Sequence, residues 1–494
     1  MADNVDVPVY ALGQPSRRTG IGGFSMKTTI VLGAGFIGFL VCQLGGMQKI
    51  GFLVVLPITV IIALLVSLNV GGRSVAQVSE MIFQDWRRRA RGDNVYISGP
   101  SSRLAGGRYR LPGSLARTEL LEGTDAVGRA FGVVFDRHRR EATVLFDCQL
   151  SGQTAMTQEE RNDMTANWGR WLAGLSLSGD VVSTVFVTNS RPDTGELVAK
   201  EVQATVHDDA PEVAKRIMQE ASDELSVGIP ETEAHIAVTL KVSVAETDDT
   251  SFLQLIGTRL PGLYEELTWS GIQAAPMDAE EVCARAHKFF NPAAEGDFEE
   301  ISVGGNTHDL EWFDAGPAFH DVRKNVYRHD GVSSVTWEMA SAPRSTFEDT
   351  LLGNLIAPHA RIDRKRVALV YRPYEAGTGA SRVEAEHRDA MVAANSSKKI
   401  RSAAAEMRLE HTEAARRAQA RGAQLGRYSL FVTATTEDEE LLGRIRHDVK
   451  QLGAQANLRL REMSRQQDAG FITSCGLGQI PWTKESTSAL AAQG

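Results

Sequence analysis

Between Asp6 and Glu80 the chain has no acidic residue, and two apolar stretches, Thr28–Met47 and Phe52–Val70, fill most of that interval. Each is close to the ~20 residues that cross ~30 Å of hydrocarbon at ~1.5 Å per residue. The segment between them, Gly45 to Gly51, is long enough only to reverse direction. The pattern predicts a membrane hairpin that carries a large soluble body.

The first stretch also contains Gly33-Ala34-Gly35-Phe36-Ile37-Gly38, a G-x-G-x-x-G pattern. A dinucleotide fingerprint needs a helix with one polar face next, then an acid about 20 residues on to hold the ribose. Phe39 to Leu44 has no charged face, and position 53 is Leu. The small residues instead suit two membrane helices in close approach, with Ala34 and Gly38 at i, i+4. Pro57 is expected in the first turn of the second span, where its missing N–H costs least.

Cations set the orientation. Arg17, Arg18 and Lys27 precede the first span; Arg73 and the Arg87–Arg91 cluster follow the second; the turn has only Lys49. The positive-inside rule predicts a multi-pass cell-membrane protein with both termini cytoplasmic. Beside a membrane exit, the Arg87–Arg91 cluster is expected to meet anionic lipid, at about 1 kcal/mol per cation.

Residues 1–94 hold nine Lys/Arg and five acids; with a whole-chain charge of −9, the remaining residues carry −13. An acidic body of that size is a poor match for nucleic acid, so no direct nucleic-acid binding is expected. About 400 residues exceed what one core usually supports, and two or three subdomains are expected. The four cysteines, at 42, 148, 283 and 475, form no C-x-x-C, which argues against zinc or disulfide frameworks.

Periodicity along the body predicts an α+β fold. Ala130–Phe135 and Ala142–Asp147 read as a hairpin, Glu159–Leu175 as a helix, Val181–Val187 and His235–Val244 as strands, and Ser251–Leu267 and Glu280–Phe290 as helices. The second half reads similarly. A hairpin is expected over Ala318–Tyr327 and Ser333–Met339, a helix over Thr346–Leu355, and a strand over Arg366–Tyr371. One long charged helix follows from about Ser381 to Gln424, solvated or docking an acidic partner. Strand Tyr428–Ala434, helix Glu437–Leu452, strand Ala456–Leu460 and helix Glu462–Ala469 close the chain. This β-α-β-α ending suggests ferredoxin-like subdomains in a mixed α/β body, and the similar openings of the two halves raise a distant duplication.

The resulting division is 1–27, a cytoplasmic N-terminal segment; 28–70, the transmembrane helical hairpin; 71–127, a juxtamembrane basic helix and connector; 128–300, a first cytoplasmic α+β subdomain; 301–478, a second containing the long helix 381–424; and 479–494, a tail.

Motifs for chemistry are missing. There is no G-x-x-x-x-G-K-[ST], no H-E-x-x-H and no G-x-S-x-G, and the eleven histidines are scattered. His207-Asp208-Asp209 could offer oxygens to Mg²⁺ but reads as the polar lead into a helix at Pro211. Trp168 and Trp171, at i, i+3, read as core or interface anchors. No catalytic, cofactor-binding or metal-ligating residue is expected.

Four segments resemble a family of actinobacterial integral-membrane proteins encoded in conjugative, type IV secretion-like loci. They are Pro8-Val9-Tyr10 with Arg17–Phe24; the two-helix hairpin, similar to the small inner-membrane subunit of conjugation machines; Val367–Pro373 before a charged helix; and Tyr428–Thr435 with Gln466–Phe471 and Ser474–Gly478. The last two resemble the N-terminal, non-ATPase half of the conjugation ATPases, whose motor domain would start near Ser486–Ala492. The resemblance implies a non-enzymatic platform with no nucleotide site of its own. Its expected partners are a separate P-loop ATPase and other membrane subunits, in several copies per assembly. Two alternatives stay open: the type VII secretion membrane component that also has two N-terminal spans, and a membrane-tethered enzyme.

Overall fold

A computed structural model describes residues 26–67, 69–70, 73–102, 110–152, 156–207, 209–225, 230–243, 248–341, 347–395 and 403–481. The expected N-terminal segment 1–27 and tail 479–494 lie mostly outside these residues. Two compact units emerge among the described residues, one formed by Met26–Asn94 with Ile480 and Pro481, and one by Val95–Gln479.

The first unit is helical. Helix α1 (Met26–Leu44) ends at a tight turn, and a continuous helix follows over Gln48–Ser67. That second helix has three parts: α2 (Gln48–Ile50), a π-turn over Gly51–Val55, and α3 (Leu56–Ser67). Two short strands, β1 (Asn69–Val70) and β2 (Arg73–Ser74), pair antiparallel before helix α4 (Val75–Arg91).

The second unit is a mixed α/β body built on one sheet, in which the described residues contribute thirteen strands. Its first half runs β3 (Val95–Ile97), β4 (Thr118–Thr124), β5 (Ala130–Asp136), β6 (Glu141–Leu150), α5 (Gln158–Leu177), β7 (Val181–Pro192), α6 (Glu196–Thr205), α7 (Glu212–Leu225), β8 (Pro230–Lys241), α8 (Asp249–Thr268), β9 (Ile272–Pro276), α9 (Ala279–Phe290) and α10 (Glu295–Val303). The second half runs β10 (Phe319–Val322), β11 (Tyr327–His329), β12 (Val332–Ser341), α11 (Gly353–Ile356), β13 (Arg364–Pro373), α12 (Ala376–Asn395), α13 (Ala403–Ala420), β14 (Gly426–Thr436), α14 (Leu442–Gln455), β15 (Arg459–Glu462) and α15 (Gln467–Ser474).

The strand order is β3-β10-β11-β12-β14-β13-β7-β8-β6-β5-β4, with β15 on β12 and β9 on β6. Every pairing is antiparallel. Apart from β3, the order reads the same from either end. In the first half, β6 pairs β8 on one edge and divides its other edge between β5 and β9. In the second, β12 pairs β14 and divides its other edge between β11 and β15. Both halves insert two helices at the same point, α6–α7 and α12–α13. The halves therefore repeat one topology, and they meet where β7 pairs β13 over Thr184–Ser190 and Lys365–Tyr371. The expected boundary at 300/301 falls within α10, between the two halves that share this sheet.

Each half covers one sheet face with helices. Trp171, Leu172 and Leu175 of α5 and Phe252, Ile256 and Leu260 of α8 bury against Val144, Phe146, Ile236 and Val238. Ile445, Val449 and Leu452 of α14 bury against Val335, Trp337, Leu430 and Val432. Strand alternation puts the next residues on the opposite face. There α9 and α15 lie over a polar layer that includes the hydroxyl pairs Thr143–Thr239 (3.0 Å), Thr336–Thr433 (2.9 Å) and Ser334–Thr435 (2.7 Å). Capping boxes start two of the helices, Thr157 with Glu160 before α5 and Asp278 with Glu281 before α9.

Several local expectations change. The helix expected over 381–424 is two helices that fold back on each other, tied by His387 Nδ1 to Thr412 Oγ1 (3.3 Å) and Arg416 to Glu384 (3.3 Å). A single helix there would leave Val383 and Ala390 in water; the pair buries them. The hairpin expected over 318–339 is a three-stranded meander. The helix expected over 346–355 is the short α11. The closing strand and helix lie a few residues later than expected, at 459–462 and 467–474. The connector within 71–127 supplies strands to both ends of the sheet, β3 and β4.

Candidate membrane interface

Helix α1 ends in a Schellman motif. Met47 N–H donates to Cys42 O (2.9 Å) and Gly46 N–H to Gln43 O (3.3 Å), with Gly46 at φ +72°. That left-handed residue needs no Cβ, so glycine terminates the helix and turns the chain at once. The two helices then pack. The rings of Phe39 and Phe52 meet edge-on at 5.0 Å. Gly35 forms the closest approach, since a Cβ there would come within 2.0 Å of the Thr59 side chain. Thr59 Oγ1 is satisfied by Val55 O at 2.7 Å. Close packing at small residues was expected at Ala34 and Gly38; Gly35 takes the place of Ala34, which is exposed. The G-x-G-x-x-G pattern lies within one helix, with no strand before it.

Pro57 is not in a first turn. The second helix starts at Gln48, so Pro57 lies in its interior, directly after the π-turn Gly51–Val55. An interior proline removes one i→i−4 bond and crowds the carbonyl four residues back. A wider turn just ahead of it relieves that crowding.

Among the described residues one helix, Gln48–Ser67 (20 residues), is long and apolar enough to cross a membrane; the apolar part of α1, Ile30–Leu44, is shorter. Both expose large apolar side chains. Phe36, Ile37, Val41, Phe52, Leu53 and Ile61 all face out of the unit, and Leu44 is 89 % exposed. An exposed apolar surface of this extent marks a protein or membrane interaction site.

Helix α4 is amphipathic in a different way. At about 100° per residue, Ile82, Trp86 and Phe83 fall within less than a third of the circumference. All three are exposed, and the Phe83 and Trp86 rings lie 5.9 Å apart. Arg87, Arg89 and Arg91 are exposed beside them, Arg89 paired with Asp85 at 3.2 Å. Aromatic side chains next to cations form the pattern of a helix lying in a lipid headgroup layer.

No protein-family model matches the chain, and no curated protein does. The residues themselves must therefore carry the functional argument.

A groove of about 610 Å³ lies between β4 and the 307–313 loop of the α/β body, lined by residues that include Glu119, Glu122, Glu280, His308, Asp309 and Glu311. His308 is its natural proton carrier, but both ring nitrogens are engaged by backbone. Nδ1 accepts from Leu310 N–H (3.1 Å) and Nε2 donates to the Glu280 carbonyl (2.9 Å). That tautomer leaves no lone pair for a substrate proton. Among the described residues no three His, Cys, Asp or Glu side chains converge as a metal site. Burial pushes the Cys148 and Cys283 thiols up to about 12 and Cys475 to about 11, so they are poor nucleophiles. Trp168 and Trp171 stack on each other and meet Phe186, an anchor of the core. His207 and Asp209 precede α7; Asp208 lies outside the described residues.

One charged constellation went unread in the sequence. Between the β7–β8 end of the sheet and α9–α10, the buried Arg191 bonds Glu231 (2.6 Å), Glu233 (3.2 Å) and Glu299 (2.7 Å), with Glu295 at 3.7 Å. Arg364 holds Glu295 at 2.6 Å, while Arg285 and Lys288 both reach Glu233 at 3.5 Å. Burial opposes charge on Glu233, yet Arg285, Lys288 and Arg191 hold its pKa down at about 2. The network joins α9 and α10 to strands from both halves.

Proposed function

We propose that the chain is a non-enzymatic, membrane-anchored platform subunit of a conjugative, type IV secretion-like complex. It docks a separate P-loop secretion ATPase at the cytoplasmic face. The observation that carries the membrane reading is the outward apolar surface of α1 and Gln48–Ser67, followed at once by the aromatic and cationic face of α4. In this reading the two helices cross the bilayer as a hairpin, with residues 45–47 on the far side. Both termini are cytoplasmic, as the cations flanking the helices favour. Phe83 and Trp86 enter the headgroup layer, and the Arg87–Arg91 cluster meets anionic lipid.

Each half of the body reads as a ferredoxin-like unit, β6-α5-β7-β8-α8-β9 and β12-α11-β13-β14-α14-β15, and the repeated topology supports a duplication. The resemblance of Val367–Pro373 and Gln466–Gly478 to the non-motor half of conjugation ATPases favours a docking role for this body. Other membrane subunits pack against the hairpin, with several copies per assembly. Mild-detergent extraction of the tagged chain from its own cells should co-purify a P-loop ATPase, with a relaxase gene nearby. Recovery of small helical-hairpin substrates instead would favour the type VII reading. Nucleotide hydrolysis by the purified chain alone would favour an enzyme.

A further inference from the structure

We propose that Arg366 and the cavity beside it bind a small monatomic anion, chloride or another halide. Arg366 lies on β13 and is 5 % exposed, its side chain on the polar face opposite Val367. The guanidinium lies 4.2 Å from the centre of the Phe289 ring and 4.7 Å from that of Phe471, which keep water from it. Nε donates to Ser474 Oγ at 3.1 Å, while Nη2 is buried with no partner. Each cation around it has a carboxylate: Arg191, Arg285, Lys288 and Arg364 all do. Arg366 has none within 4.0 Å among the described residues, although a buried guanidinium without a counter-charge is strongly disfavoured.

A small cavity lies beside Arg366. It measures about 20 Å³, and its lining includes Arg366, Lys288, Arg364 and the hydroxyl-bearing Thr433 and Thr435. The one carboxylate in the lining, Glu295, is already bound by Arg364 at 2.6 Å with Arg191 at 3.7 Å. A cavity needs about 10–15 Å³ to take one water-sized occupant, so this one suits a single atom better than sulfate or phosphate. The uncompensated guanidinium, with the ammonium of Lys288 in the same lining, selects an anion over water. Bound there, it would tie β13 and β14 to α9 at the seam between the halves. The inference stands independently of the membrane and secretion reading.

The test uses the full-length chain in detergent, dialysed into sodium gluconate and titrated with sodium chloride or bromide at constant ionic strength. Halide should raise Tm saturably by about 2 °C or more, and sulfate should not. Arg366→Met should abolish the halide dependence. Should that variant fail to fold, the anomalous signal of the unaltered chain decides. Crystals grown in bromide should show an anomalous peak beside Arg366. Equal Tm in chloride and gluconate, or a cavity holding water without anomalous signal, would overturn the proposal.

Discussion

At the residue scale, burial decides which charges matter. Arg191 has no substitute among its neighbours, because Glu299 and Glu231 have no other cation within 4.0 Å among the described residues. Arg191→Met should therefore cost about 3 kcal/mol or more, the usual result of stripping one partner from a buried cluster, measured by chemical denaturation. His235 and His329 set the response to acid. Burial holds both pKa values down at about 3; His235 Nε2 donates to Cys475 O (3.1 Å), and His329 Nε2 accepts from Ser334 Oγ (2.8 Å). An imidazole in the unfolded chain titrates near 6.5, so between 6.5 and 3 the unfolded state binds more protons. Stability is complete above that window and falls as pH drops, by about 2 kcal/mol per imidazole at pH 5. A His329→Gln variant should lose about 2 kcal/mol of the stability change between pH 7 and pH 5, measured by chemical denaturation at each pH. Part of this was legible in the sequence. Period-2 alternation puts Glu231, Glu233 and His235 on the face opposite Ala234, Ile236 and Val238. What alternation does not reveal is the partner, since Arg191 meets Glu231 only through the β7–β8 register.

Individual elements were legible where their periodicity was strong. The 130–147 hairpin, α5, α8 and α9 form close to their expected ranges because their apolar positions face one sheet. Elements set by tertiary contact were not. Ala-rich 381–424 is mostly helix-forming, and only the short Asn395-Ser396-Ser397 cluster marks locally the fold-back that buries Val383 and Ala390. Pro57 misled for a related reason: a π-turn lets a proline sit inside a helix that extends back to Gln48. Helix α4 makes a testable claim at this scale. In nanodiscs with anionic lipid, amides of 75–91 should exchange hydrogen more slowly than in zwitterionic ones. Phe83→Asp with Trp86→Asp should remove the difference by taking the apolar arc out of the headgroup layer. Equal exchange in both lipids for the unaltered chain would count against an interfacial helix.

The whole molecule joins an apolar helical segment to a body of two topologically matched halves. The match was visible in the sequence only as two similar openings. Its main device, one strand edge divided between two short strands in each half, depends on pairings that no local pattern encodes. The central proposal concerns the solvent around residues 26–67: that the exposed side chains of both helices face lipid. Thiol labelling tests it directly. With Cys42→Ala as background, a Met47→Cys variant is treated in intact cells with a membrane-impermeant maleimide and compared with a Val127→Cys variant. The account predicts labelling at 47 in intact cells and at 127 only after lysis. Equal labelling at both sites, with the chain released from membranes by carbonate, would contradict it.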